Sequence, residues 1–76
     1  MFKLQILQMN KSVFEGEVER LNARALDGSL EILSHHAALL TVLAPGKVSY
    51  DKNTLELAGP AILEVNKNRA RIFMGS

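Results

Sequence analysis

A serine followed by two adjacent histidines is the part of this chain whose residue types best suit catalysis. A nucleophilic serine needs a base within hydrogen-bond reach and an acid that orients the base. Ser34 and His35 are neighbours, and neighbouring side chains on an extended chain point to opposite sides. The remaining hydrolase hypothesis pairs Ser34 with His36, but the sequence has no Gly-x-Ser-x-Gly turn that would expose the serine. We therefore predict no catalytic residues and no enzymatic activity.

The sequence also lacks the usual residue patterns that bind a metal ion or a cofactor. The chain has no cysteine, and its two histidines are adjacent, so one metal ion would rarely bind both. The sequence contains neither of the two glycine-rich phosphate-binding motifs, Gly-x-x-x-x-Gly-Lys and Gly-x-Gly-x-x-Gly. Glu15, Glu17 and Glu19 have strand spacing, and we interpret them as the exposed face of an edge strand rather than a catalytic carboxylate pair. The sequence predicts no metal, no cofactor and no small-molecule substrate.

Length and charge restrict the remaining functions. The chain has 76 residues and a formal net charge of +1, which allows a single domain over residues 1–76. Lysines and arginines form no cluster of the kind that binds nucleic acid. No apolar run approaches the ~20 residues that span a bilayer, and the first residues do not form a signal peptide. We expect a small folded domain without nucleic-acid binding or direct bilayer insertion.

Turn signals recur at short intervals and separate apolar-rich segments in which buried and exposed positions alternate. Leu4 with Ile6 and Ala70 with Ile72 illustrate the alternation, with Arg69 and Arg71 facing outward. Many short strands at such spacing are typical of a sandwich or barrel. The predicted fold class is all-β, a small antiparallel β-sandwich of roughly eight to ten short strands.

The turn signals also predict specific backbone conformations. Asp27-Gly28 favours a tight hairpin, because glycine readily adopts positive φ. Pro45-Gly46 suits the centre of a type II turn. Residues 51–53 and 66–68 each predict a longer hairpin with a left-handed asparagine, and residues 9–11 predict another turn.

Residues 34–44 are ambiguous. Ser34 could cap a helix, and the leucines at 39, 40 and 43 have helical spacing. The β-branched pair Thr41-Val42 and the following Pro45 favour a loop through residue 37 and then a strand to Ala44. The apolar tract at residues 36–43 is either central core or a surface covered by a partner, and its periodicity does not separate the two readings.

Four segments together resemble one protein family. Residues 14–19, Phe-Glu-Gly-Glu-Val-Glu, resemble the F-x-G-x-V-E segment of the epsilon subunit of rotary F-type ATP synthases. Residues 27–33 resemble the family's x-G-x-L-G-I-x hairpin, residues 36–46 its H-A-P-L-L-T-x-L-x-P-G segment, and residues 58–65 its S-G-G-x-x-E-V strand. The order is the same and there are no large gaps. The chain departs from the family pattern at Glu31, Ser34-His35, Ala38 and Pro60, which predicts altered loop conformations on an unchanged strand framework.

The resemblance implies a non-catalytic subunit of the central stalk. Such a domain contacts the gamma subunit on one side and the polar loops of the membrane c-ring at one end, and it couples rotation to ATP synthesis. By resemblance, the gamma-subunit interface contains His36, Ala37, Leu39 and Leu40. The c-ring-facing loop would contain Leu26, Asp27, Gly28, Ser29 and Glu31. One of Leu39 and Leu40 must face inward, and the sequence leaves open which.

The resemblance also implies a location and a missing segment. It places the chain on the cytoplasmic face of a bacterial inner membrane, as a peripheral part of the synthase. The family usually continues into a C-terminal helical hairpin, and this chain stops about where that hairpin would begin. The final Gly75-Ser76 is either native or a cloning scar. The alternative function, from another class, is a stand-alone β-sandwich module that binds a peptide or a small ligand.

Overall fold

The fold, obtained as a computed structural model, is described for residues 1–9 and 11–75. Asn10, in the turn predicted at residues 9–11, and the terminal Ser76 lie outside these residues. The described residues form nine strands and no helix. The strands are β1 (Phe2–Gln8), β2 (Lys11–Val18), β3 (Arg20–Ala25), β4 (Gly28–Leu33), β5 (Leu39–Leu43), β6 (Gly46–Tyr50), β7 (Asn53–Leu57), β8 (Ala61–Asn66) and β9 (Arg69–Met74).

The strands are hydrogen-bonded in one curled sheet that has two parts. The first part has the order β2-β1-β9-β8-β5, and the second contains β4, β3, β6 and β7. A narrow contact between β3 and β5, at Ala25 and Leu43, joins them. The pairings are antiparallel except that of β1 with β9, which is parallel. The predicted all-β fold is therefore confirmed, with one parallel pairing that local turn signals could not indicate.

The core lies between the two parts. Alternate residues of the strands face it, as the sequence pattern predicts for half-buried strands. Leu4, Leu43, Leu63 and Ile72 from the first part and Leu21 from the second are fully buried. The other members of this cluster are Phe2, Ile6, Val18, Ala23, Ile32, Val48, Tyr50, Leu57, Ala61, Val65 and Ala70. Because both parts contribute to one cluster, the two layers share one core.

Three two-residue turns close hairpins at the positions that the sequence predicts, and the two at residues 51–52 and 67–68 are shorter than expected. Leu26 and Asp27 connect β3 to β4, and Gly28 follows with a φ of 141°. Lys67 and Asn68 connect β8 to β9 and are both left-handed, as a type I′ turn requires. In the turn between β6 and β7, the left-handed residue is Asp51 rather than the expected asparagine.

The ambiguous residues 34–44 form a turn, an extended segment and a strand. Ser34 and His35 form the turn, residues 36–38 have no strand pairing, and β5 then runs from Leu39 to Leu43. The strand prediction is confirmed, although β5 ends one residue before the expected Ala44. His35 has a φ of 62°, at the position where the resembled family has glycine.

Candidate interaction surfaces

The loops of the domain lie at two opposite ends. One end contains the Leu26-Asp27 turn, the loop before Gly46 and the loop at residues 58–60, because β3, β5 and β7 all end there. The other end contains the turn at residues 34–35, Asp51-Lys52 and Lys67-Asn68. A strand of six residues is about 20 Å long, so the two ends are well separated.

The residues predicted to face the c-ring lie together on one hairpin. Leu26 and Asp27 form the tip, and both are exposed, Leu26 by 71%. Gly28, Ser29 and Glu31 follow on β4 and are also exposed. Leu26 N–H donates to the carbonyl of Val42 at 3.3 Å, and Ala44 N–H donates to that of Arg24 at 2.7 Å. These bonds hold the tip against the end of β5.

The residues predicted to contact the gamma subunit start at the opposite end of β4. Ala37 is exposed and His36 is half-buried. Leu39 packs against the core, whereas Leu40 is 72% exposed. The orientation that the sequence left open is thus assigned: Leu39 faces inward and Leu40 faces outward. The tract at residues 36–43 therefore combines core residues with exposed ones.

Leu40 belongs to a group of exposed apolar residues on the outer face of the first part of the sheet. Val42 lies two residues along the same face of β5 and pairs with Ile62 of β8, which pairs with Phe73 of β9. Val42, Ile62 and Phe73 are 40%, 48% and 37% exposed. We call Leu40, Val42, Ile62 and Phe73 the apolar band. Leu7 of β1 pairs with Phe73 and extends the band toward the sheet edge.

An ion pair borders the apolar band. Arg71 on β9 donates from Nε and Nη2 to Oε1 of Glu64 on β8, at 3.0 and 2.6 Å. The guanidinium carbon also lies 5.5 Å from the ring centroid of Phe73. Glu64 pairs in register with Leu40. Because the Glu64 carboxylate and the Arg71 guanidinium are already paired, covering them with a partner has a smaller desolvation penalty than covering isolated charges.

The outer face of the second part of the sheet is mostly polar, although Leu33, on the same face of β4 as Glu31, is 46% exposed. The exposed positions of this face are mostly charged or hydroxylic, and the paired residues there are Asn22 with Glu31, Arg24 with Ser29, Lys47 with Glu56 and Ser49 with Thr54. Apolar residues exposed singly are common on protein surfaces, but contiguous groups mark interaction sites. The contrast between the faces therefore indicates that a partner would cover the face that carries the apolar band.

The serine and histidines of the hydrolase hypothesis lie in and just after one turn. Ser34 and His35 form that turn, and His36 follows it, where its Nδ1 lies 2.7 Å from the carbonyl oxygen of Ala37. Within residues 1–9 and 11–75, no three His, Asp or Glu side chains are placed to hold a metal ion. No helix in the same part of the chain is long and apolar enough to cross a membrane.

Comparison with known proteins shows the family. The family described as "ATP synthase, Delta/Epsilon chain, beta-sandwich domain" matches residues 1–76. The chain belongs to the ATP synthase delta/epsilon family. Its nine strands thus correspond to the β-sandwich domain of that family, and the resemblance drawn from the four sequence segments is confirmed.

Curated relatives are longer than this chain. The ATP synthase epsilon chain of Clostridium novyi (strain NT) is 38% identical over 76 residues, which cover 95% of this chain and 58% of the relative. The epsilon chain of Caldicellulosiruptor saccharolyticus is 35% identical, with 95% and 55% covered. This chain therefore spans about half the length of the curated relatives that it matches.

Solved structures share the fold of this delta/epsilon domain. A chain of the Tetrahymena thermophila mitochondrial ATP synthase, in a structure of its central stalk and c-ring, aligns with a TM-score of 0.79 at 24% identity. The alignment covers 97% of this chain and 63% of the Tetrahymena chain. A chain of the Euglena gracilis mitochondrial ATP synthase aligns with a TM-score of 0.84 at 18% identity, covering 93% and 48%.

The sequence prediction missed three residues of the apolar band in this epsilon-like domain. Val42, Ile62 and Phe73 were not among the predicted site residues, although the strand period contains the signal. Phe73 shares its strand face with Arg69 and Arg71, and Ile62 shares one with Glu64. Because alternate residues of a strand face the same side, the pattern that places these charges outward also places Ile62 and Phe73 outward.

Proposed function

We propose that this chain is a non-catalytic rotor subunit of an ion-translocating ATP synthase that joins the gamma subunit to the c-ring. It couples rotation of these parts to ATP synthesis and performs no bond chemistry. The family supports the assignment, and the exposed apolar band supports a permanent partner. A stable interface buries about 800 Å² on each partner. This corresponds to roughly a sixth of the 4902 Å² surface of the free domain.

The gamma subunit would bind the apolar band together with residues 36–37. Leu40 lies between them, because it follows the extended segment along the chain and shares its strand face with Val42. Burial of apolar surface would provide most of the affinity, at about 25 cal/mol for each square ångström removed from water. The paired Glu64 and Arg71 would lie at the rim of this contact.

The c-ring would contact the Leu26-Asp27 tip. The tip is exposed, lies at one end of the domain and carries one negative charge at Asp27. The polar loops of c-rings often carry basic residues, and these residues would complement the charge of Asp27. Since Asp27 is solvent-exposed, its charge contributes little to the affinity, and that contribution decreases with salt.

The complex would lie at a membrane although the domain itself does not enter it. As a part of the synthase, the chain would be peripheral, on the cytoplasmic face of a bacterial inner membrane. The gamma subunit and the c-ring would hold it there, without a nucleic acid, a cofactor or a small-molecule substrate.

Binding to the two partners separately tests this function. We expect the purified chain to bind the gamma subunit of its own synthase in analytical ultracentrifugation, with an affinity that changes little with salt. A preformed gamma complex should bind detergent-solubilised c-ring. Asp27→Arg should weaken only that second step, by about two- to fivefold and in a salt-dependent way. Failure of the chain to bind gamma at micromolar concentration would contradict the proposed function.

A further inference from the structure

The turn that precedes the proposed gamma-binding segment is held by a residue from a distant hairpin. Oδ1 of Asn68, in the turn between β8 and β9, accepts a hydrogen bond from the N–H of His35 at 2.7 Å. Nδ2 of Asn68 donates to the carbonyl oxygen of Met1 at 2.9 Å. The main-chain carbonyl of Asn68 also accepts from Lys3 N–H at 3.3 Å. One residue therefore connects the start of β1, the β8–β9 hairpin and the turn before β5.

Residues 34–38 have little other support in this structure. They lie between β4 and β5 and take no part in a strand pairing. The main-chain bond within this stretch joins His36 N–H to the carbonyl of Leu33, at 3.2 Å. His35 adopts a φ of 62°, a conformation that costs roughly 1–2 kcal/mol in a non-glycine residue. Such a conformation persists when the surroundings determine it, and the Asn68 amide provides that determination.

Asn68 is itself suited to this position. It is the second of two left-handed residues in its turn, with a φ of 59°, and asparagine tolerates that conformation better than most residues. Its side chain thereby projects from a rigid hairpin whose strands are paired on both sides, β8 with β5 and β9 with β1. The side-chain amide of Asn68 therefore has a fixed position, and its hydrogen bond to His35 holds the turn at residues 34–35 in place.

We infer that Asn68 is a positioning residue for the proposed gamma-binding segment, residues 36–40. It would fix the direction in which the chain leaves the turn, and so the orientation in which His36 and Ala37 meet the partner. This inference rests on the proposed function for its partner, but the ordering of the segment can be tested on the free domain. Asn68 itself need not contact the gamma subunit.

Three variants separate positioning from general stability. Asn68→Gly keeps the left-handed backbone and removes both side-chain bonds, whereas Asn68→Asp keeps the acceptor for His35 N–H and removes the donor to Met1. Lys67→Gly is the matched control, because Lys67 is the other left-handed residue of the same turn and its side chain is exposed. Both glycine variants increase the flexibility of the unfolded chain equally.

Amide hydrogen exchange on the free domain provides the first measurement. In Asn68→Gly, the amides of His35 and His36 should exchange about three- to tenfold faster relative to those of β8 and β9, since loss of one net hydrogen bond corresponds to about that factor. Lys67→Gly should retain the wild-type protection. Asn68→Asp should retain most of it at His35, because its carboxylate still accepts from His35 N–H although the other oxygen is repelled by the Met1 carbonyl. Equal exchange at His35 in wild type and Asn68→Gly would overturn the inference.

Affinity for the gamma subunit provides the second measurement. Asn68→Gly should lose about three- to tenfold in affinity, Asn68→Asp should restore most of it, and Lys67→Gly should bind like wild type. Equal losses in both glycine variants would contradict a positioning role and would indicate a general effect of turn flexibility. If wild type itself fails to bind gamma, the proposed function is wrong, and the exchange comparison alone decides whether Asn68 orders the segment.

Discussion

Two neighbouring leucines in β5 face opposite sides of the sheet and have different roles. Leu39 packs against the core, and Leu40 is mostly exposed within the apolar band. Which one faces inward depends on how β5 pairs with β8, where Leu39 lies opposite the buried Val65 and Leu40 opposite Glu64. The sequence of β5 alone could not show this, because both residues of the pair are leucine.

Aspartate substitutions distinguish the two leucines. Leu40→Asp should leave the thermal unfolding of the free domain nearly unchanged and reduce affinity for gamma by about a hundredfold or more, since the complex would bury an unpaired charge. Leu39→Asp should unfold the domain or strongly lower its melting temperature, because it places the charge against the core. Thr54→Asp, on the polar outer face, is the control and should change neither property. The assignment would be wrong if Leu40→Asp unfolded the domain or bound gamma like wild type.

Single side chains also join elements that are distant in the chain. Asp51 lies in the turn between β6 and β7 with a φ of 54°, and its Oδ1 accepts hydrogen bonds from Glu19 N–H and Arg20 N–H at 2.9 and 3.1 Å. Asp51 N–H donates in turn to the carbonyl of Arg20. The hairpin thus holds the short link through which β2, in the first part of the sheet, continues into β3, in the second.

Removing the Asp51 carboxylate should weaken this link. Asp51→Ala loses two hydrogen bonds and places alanine in the left-handed region, so we expect a destabilisation of about 1–3 kcal/mol in urea unfolding. Asp51→Asn keeps an acceptor and a side chain that tolerates positive φ, and it should lose less than half as much. Equal losses for the two variants would show that the hydrogen bonds contribute little.

The hairpins were the elements most readily predicted from the sequence. Gly28 and Asn68 both have positive φ where the chain reverses, a requirement that few residue types meet without strain. The left-handed Asp51 was not anticipated, because its conformation is supported by backbone groups 31 and 32 residues away. The parallel pairing of β1 with β9 was likewise beyond local patterns, since it joins the two ends of the chain.

The candidate interaction surfaces could be predicted only in part from the sequence, because some of their residues come from separate strands. The four segments that resemble the epsilon subunit indicated the exposed hairpin tip and the segment at residues 36–40, and both lie at the surface apart from Leu39. The apolar band crosses three strands that are adjacent only after β5 pairs with β8 and β8 with β9. Its residues are up to 33 positions apart, so contiguity could not be read from the sequence.

At the scale of the whole molecule, the domain has one largely polar outer face, one outer face with an apolar band, and a charged tip at one end. A rotor part that transmits torque requires a stiff body with two separate contacts, and two sheet layers that share one core provide such a body. The division of surfaces matches a permanent apolar contact along one side and a weaker polar contact at the end.

Thiol labelling of the two outer faces tests whether the gamma subunit covers the apolar band. The chain has no cysteine, so Ile62→Cys and Thr54→Cys each introduce one reactive thiol, on the apolar band and on the polar face respectively. In the free domain both should react with a maleimide. With saturating gamma subunit, Ile62→Cys should be protected by about tenfold or more while Thr54→Cys reacts as before, because the interface excludes the reagent. Unchanged labelling of Ile62→Cys in a complex that has demonstrably formed would contradict the claim that gamma covers the apolar band.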